Sequence, residues 1–276
     1  MNLLTYLGQP FALQALLAAL LVAIICGLIG PFVASRDMAF AVHGAAELSF
    51  TGAAAGLLVA GDALGGALVG SLVVAVAIGL LGDRPRERNS SIGVILAFGL
   101  GLGVFLLSFY HGFASEATNI LFGQIFGVGP GDILLLAGIA VAILIVMVVI
   151  YRPLLFASID PEVAAARGVN TRAVGLIFVL LLTFTVTEAS QIVGTLLVLS
   201  LAITPAAAAR HLTANPVQVT MIAIVIAIIA ADGGLLLDLT FPDVKPSVFI
   251  SGVSFLCYLI ARLVIAPLRG DRRRPA

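Results

Sequence analysis

The chain has 276 residues, 61% hydrophobic and only 10% charged, and its fourteen basic and fourteen acidic residues cancel. A soluble domain carries roughly 25% charged residues, so this composition excludes a water-soluble globule and points to an all-α protein embedded in a bilayer. The two cysteines, Cys26 and Cys257, lie far apart in apolar runs, which excludes a disulfide framework and any C-x-x-C motif.

A spanning helix needs about 20 mostly apolar residues. Nine segments meet or approach that length: 11–34, 39–60, 63–82, 91–110, 131–151, 173–187, 190–209, 217–236 and 247–267. Residues 1–10 hold no Lys or Arg, and no A-x-A site follows the first apolar run, so that run is expected to stay as a span rather than be cleaved. The second segment carries charge and the sixth is short. Between the fourth and fifth, Ile120 to Val128 is apolar but too short to cross, which suits a re-entrant or interfacial piece. Small-xxx-small pairs (Gly66 with Gly70, Gly99 with Gly103, Gly123 with Gly127) read as close helix packing. The whole of 1–276 is expected to form a single transmembrane bundle of about nine spans.

Basic residues set the orientation. With the N-terminus outside, thirteen of the fourteen fall on the inner side: Arg36, the Arg84–Arg88 group, Arg152, Arg167, Arg172, Arg210, Arg262 and the Arg-rich tail. Only Lys245 falls outside. This asymmetry needs an odd number of spans and puts the C-terminus inside.

The chain has no G-x-x-x-x-G-K-[ST] loop, no nucleophile elbow and no H-E-x-x-H. It is not expected to be an enzyme, and any active transport must draw on a partner chain or an ion gradient.

Three segments carry chemistry. In Arg36 to Gly52 (R-D-M-A-F-A-V-H-G-A-A-E-L-S-F-T-G), His43 and Glu47 stand four apart, on one helical face. Ionisable groups in the bilayer are costly, so they face a cavity, a partner or a substrate. Imidazole plus carboxylate suits Zn2+ or Mn2+, while a structural His–Glu pair fits the same spacing. The second segment is the loop 152–172. There Asp160 can cap a short helix, Pro161 suits its first position, Glu162 complements the dipole, Ala164 to Ala166 extend it, and Gly168 can end it. A docking element and a simple connector both fit. The third is Gly194 to Arg210, where Pro205 late in an apolar helix predicts a kink. Glu188, Gln191, Asp232, Asp238 and Asp243 read as outer helix ends or loops that could draw cations. His111 and Glu116 read as outer-loop residues, and His211 as interfacial.

These three segments resemble those of the ABC-3 type permease subunits of metal-ion ABC importers for zinc, manganese or iron. Arg36 to Gly52 is similar to that family's R-x-M-A-x-x-G-D-A-x-S-H-A-x-x-P-G. D-P-E-V-A-A-A-R-G-V, from Asp160, is similar to its D-x-E-x-A-x-A-x-G-[VI]. V-G-T-L-L-V-L-S-L-A-I-T-P-A-A-A-A, ending at Ala209, is similar to its V-G-x-L-L-V-x-A-L-L-I-x-P-A-A-x-A. The resemblance implies a multi-pass permease in the bacterial plasma membrane that imports Zn2+ or Mn2+ as cargo, with no permanently bound cofactor. Its implied partners are a separate ABC ATPase, an extracellular metal-binding protein and a second permease copy, with no nucleic acid. It makes the 152–172 loop helix a coupling helix, carried on Asp160, Pro161, Glu162, Ala165 and Gly168, and gives Pro205 a part in gating. The chain departs from the pattern in one place: His43 stands for the family's Asp, Glu47 for its His and Thr51 for its Pro. One imidazole and one carboxylate are kept at the same spacing, which supports a metal path through this helix. Because His43 must be neutral to bind, uptake is expected to weaken in acid. A proton-coupled secondary transporter, with His43 and Glu47 as a relay, is the alternative.

Overall fold

The computed structural model describes residues 9–80, 85–110, 123, 125–195, 198–240 and 244–265. Every regular element among them is helical. In chain order these are α1 (Pro10–Ser35), α2 (Ala39–Ala60), α3 (Ala63–Leu80), α4 (Pro85–Ser108), a 3-10 turn (Ile125–Gly127), α5 (Pro130–Ile159), α6 (Pro161–Ala166), α7 (Thr171–Val193), α8 (Val198–Ala202), α9 (Thr204–Leu212), α10 (Pro216–Asp238), α11 (Pro246–Ile260) and a π-helical turn (Ala261–Ile265).

Seven described segments are long and apolar enough to cross a membrane: α1, α2, Ser90–Ser108 of α4, α5, Thr171–Ser190 of α7, α10, and Pro246–Leu263. The other two expected spans, 63–82 and 190–209, coincide with shorter apolar helices, Ala63–Ile78 and Val198–Leu212. The expected split between 173–187 and 190–209 also falls elsewhere. Helix α7 runs on to Val193 and stops at Gly194, whose φ of +95° a side chain would disfavour. The sequence reading ended the sixth span too early because Thr183, Thr185, Thr187 and Ser190 lower the local hydropathy. Each of those hydroxyls donates back to a carbonyl three or four residues earlier in α7, so the polar stretch stays helical. The apolar piece from Ile120 lies partly outside the described residues; its described part includes the 3-10 turn.

The chain forms two compact units. One draws on 1–34, 125–137 and 199–276, the other on 35–124 and 138–198. In the first, α9, α10 and α11 pack on one another. Helix α1 belongs to the same unit: a Cβ at Gly27 would lie 2.5 Å from the Ile224 Cα of α10, a contact only glycine permits. The expected kink at Pro205 takes the form of a junction. Helix α8 ends at Ala202, and Pro205 sits in the first turn of α9, where its missing N–H removes no intrahelical bond. Hydroxyls from α11 support the junction. Ser254 donates to the Ser200 carbonyl at 3.0 Å, and Ser251 shares a 3.0 Å bond with the Ser200 hydroxyl.

In the second unit α2 is the hub, packed on α3, α4 and α7. Small residues bring the backbones together. A Cβ on Gly52 would strike the Gly66 carbonyl and lie 2.8 Å from the Gly70 Cα, and one on Gly56 would strike the Asp62 carbonyl and lie 2.7 Å from the Gly66 Cα. Two G-x-x-x-G pairs thus face each other, the packing that works between helices in lipid, where apolar burial gives little drive. Helices α4, α5 and α11 leave large apolar side chains uncovered, among them Val94, Leu134, Val149 and Phe255, as a hydrocarbon surround requires.

Candidate functional site

Helix α2 is set by its two ends. It follows a turn at Arg36–Asp37 in which Asp37 adopts a left-handed φ of +52°, a conformation Asp tolerates better than most residues. At its far end Gly61 takes φ +69°, and its N–H bonds the Leu57 carbonyl at 3.2 Å. Asp62 then caps α3 by accepting from the Gly65 N–H at 3.0 Å. Between these stops the helix has no proline, so His43 and Glu47 share a face one turn apart.

Glu47 is 2% exposed, and His43 is half-buried. The two are close enough to interact electrostatically. The Nδ1 of His43 and the Oε2 of Glu47 are both buried and have no hydrogen-bond partner among the described residues. A buried polar atom left unpaired costs about 1–3 kcal/mol, and more when charged. Each side chain thus keeps one donor atom without a partner among the described residues. Those two atoms are the ones a cation could take: a neutral imidazole binds metal through its unprotonated nitrogen, and a carboxylate through oxygen. No cluster of three or more His, Cys, Asp or Glu able to hold a metal occurs among the described residues. Among the described residues the arrangement is two donors on one helical face, not a closed four-ligand site.

Thr51 holds the helix against α4. Its hydroxyl bonds the Gly99 carbonyl at 2.6 Å and lies 3.1 Å from the Glu47 carbonyl one turn back. Gly99 and Gly103 face Leu48 and Phe50 of α2, so the expected Gly99–Gly103 pair is a packing surface against this helix.

Of three other acids, sequence reasoning misplaced Glu188 and Asp238 and placed Asp232 near the end of its helix, where it lies. Glu188, read as a helix-end residue, lies inside α7, 2% exposed, with Oε1 lacking a partner among the described residues. The nearby α7 hydroxyls are turned to their own helix. Asp238, read as a loop residue, is the last residue of α10 and 5% exposed. Asp232 lies within α10 with a buried, unpartnered Oδ1. The signal was available: an acid spaced at helical periodicity within an apolar run is a buried acid once the run continues past it. His111, Glu116 and Asp243 lie outside the described residues, and the Gln191 side chain is not described. His211 is exposed and meets Tyr258 edge-on, with ring centroids 5.7 Å apart.

The loop helix α6 has the caps its sequence specifies. Asp160 accepts from the Val163 N–H at 3.0 Å, Pro161 opens the helix, and Glu162 occupies its first turn. Gly168 takes φ +85°, and the Val169 N–H returns to the Ala164 carbonyl at 3.0 Å. Asn170 then caps α7 through the Ala173 N–H. Ala164 is fully buried, while Ala165 is exposed and Val163 is 45% exposed. The six-residue helix is thus anchored on one side and presents apolar side chains on the other.

A family model described as the ABC 3 transport family matches residues 9–265. The manganese transport system membrane protein MntC of Halalkalibacterium halodurans is 31% identical over 230 residues, 83% of this chain and 79% of that protein. The high-affinity zinc uptake system membrane protein ZnuB of Haemophilus influenzae is 26% identical over 251 residues, 90% of this chain and 96% of that protein. Among solved structures, PsaBC from Streptococcus pneumoniae in complex with Fab superposes with a TM-score of 0.86 at 27% identity, covering 96% of this chain and 95% of that one.

Proposed function

The chain belongs to the ABC 3 transport family, and from that we propose that it is the membrane permease of an ATP-driven importer that carries a divalent transition metal, manganese or zinc, across the plasma membrane. The relatives' names, manganese transport and zinc uptake, support the cargo class. A translocating chain without a phosphate loop takes its energy from a separate ABC ATPase. An extracellular solute-binding protein supplies the metal, and a second copy of this chain completes the passage.

The observation that carries this reading is the bare Nδ1 of His43 beside the bare Oε2 of Glu47 in a helix long and apolar enough to span. Metal passing along α2 exchanges water for these two donors. Two donors from each of two copies would make a four-ligand stop, tight enough to select N/O-binding metals and loose enough to release. Helix α6 is the coupling helix, with Val163 and Ala165 on its exposed side and its frame fixed by Asp160, Pro161, Glu162 and Gly168. The Pro205 junction is where the first unit bends as the passage changes access.

The test is metal accumulation in cells that depend on this permease at limiting manganese or zinc. His43→Ala and Glu47→Ala should each lower uptake at least about tenfold, since loss of even an outer-shell partner costs a metal site 10–100-fold. Undiminished uptake at normal membrane abundance removes the pair from the path.

A further inference from the structure

The guanidinium of Arg36 meets three residues, on two helices, that lie far from it in sequence. Its Nη1 donates to the Ser158 hydroxyl at 3.4 Å. Its central carbon lies 5.8 Å from the centre of the fully buried Phe178 ring, within cation–π range. Its Nη2 would lie 3.4 Å from a Cβ added at Gly175, so a side chain extending beyond Cβ there would press on the guanidinium. Ser158 is in the last turn of α5, two residues before the Asp160 cap of α6. Gly175 and Phe178 are in the first two turns of α7, directly after the loop that follows α6. Arg36 is therefore clamped to both flanks of the α6 segment. It also stands three residues before α2 and seven before His43, about two helical turns. Ser158 anchors its own end by donating to the Leu154 carbonyl at 2.6 Å.

We propose that Arg36 is the positioning residue through which displacement of the coupling helix α6 is passed to α2, and so to the His43–Glu47 pair. The inference rests on the reading of α6 as the ATPase-docking helix. A planar guanidinium can bond one flank while stacking on the other, so neither flank shifts without carrying the start of α2. Lysine keeps the charge but has neither the plane nor the fork. The half-buried position and the left-handed turn at Asp37 hold the arginine at this point rather than leaving it to interfacial water.

The experiment uses the whole complex, permease with its ATPase and binding protein, in proteoliposomes. ATP hydrolysis and manganese or zinc uptake are measured on the same samples. Arg36→Lys and Arg36→Ala should keep ATPase docking and hydrolysis within about twofold, yet move on the order of fivefold less metal per ATP, mid-range for residues that carry coupling. Gly175→Leu, which displaces the guanidinium without changing it, should do the same and decides the matter if the Arg36→Ala chain fails to fold. Ala165→Arg on the exposed side of α6 serves as the control and should abolish docking itself. Unchanged metal per ATP in Arg36→Lys and Gly175→Leu overturns the proposal. So does a parallel fall of hydrolysis and uptake, which would mean a merely structural role. Should Ala165→Arg leave docking intact, the reading of α6 fails instead, whatever the Arg36 variants do.

Discussion

On the proposed path, the imidazole of His43 and the carboxylate of Glu47 act through donor type rather than order along one helical face. The double variant His43→Asp with Glu47→His should therefore keep metal uptake near the parental level, while His43→Asp alone leaves two acids and loses it. Parallel uptake assays at limiting metal check this, and failure of the double variant would show that order matters after all. Thr51 makes a smaller claim. Thr51→Val removes the 2.6 Å bond to the Gly99 carbonyl and should cost about 0.6 kcal/mol, the mean for such interhelical bonds in membranes. Thermal unfolding of the detergent-solubilised chain measures it. The i, i+4 spacing of the pair was legible in the sequence, because a helix fixes that geometry locally. The bare Nδ1 and Oε2 were not, because whether a polar atom finds a partner depends on what neighbouring helices bring. Glu188 was misplaced for a related reason: self-bonding hydroxyls make a polar stretch helical without making it apolar.

At the scale of elements, the interface of α2 and α3 is the most sensitive surface in the second unit. Gly52→Leu or Gly66→Leu forces a side chain into the opposing backbone, where relief requires the helices to part. Each should destabilise the chain by about 1–3 kcal/mol, the cost of overpacking, read as a drop in the thermal midpoint in detergent. Gly101, with open space beside it, should accept Ala with no such drop. The pair Gly66–Gly70 was visible as a small-residue motif, but its partner pair Gly52–Gly56 was identified only when the two helices were seen together. Helix α6 was readable in full, caps included, since caps act over three or four residues. Asp160→Ala should weaken that helix by about 1 kcal/mol, measured as a reduced affinity of the ATPase for the permease. The Pro205 feature was half readable: proline interrupts the apolar run, yet whether it bends a helix or begins one depends on where the preceding helix has already stopped.

For the whole molecule, composition alone required a bilayer, and the seven long apolar helices agree with it. Among the described residues the two remaining apolar segments, Ala63–Ile78 and Val198–Leu212, are shorter than these seven. One is held by glycine contacts to α2, and the other is divided at the Pro205 junction. The central claim is that metal driven by a partner's ATP hydrolysis passes over His43 and Glu47. Uptake of radiolabelled manganese and zinc into proteoliposomes holding permease, ATPase and binding protein tests it most directly, with wild type beside the double variant His43→Ala, Glu47→Ala. The account predicts uptake that requires ATP in the wild type and collapses in the double variant while ATP is still hydrolysed. Wild-type uptake by the double variant, or accumulation by the permease alone on a proton gradient, would contradict it.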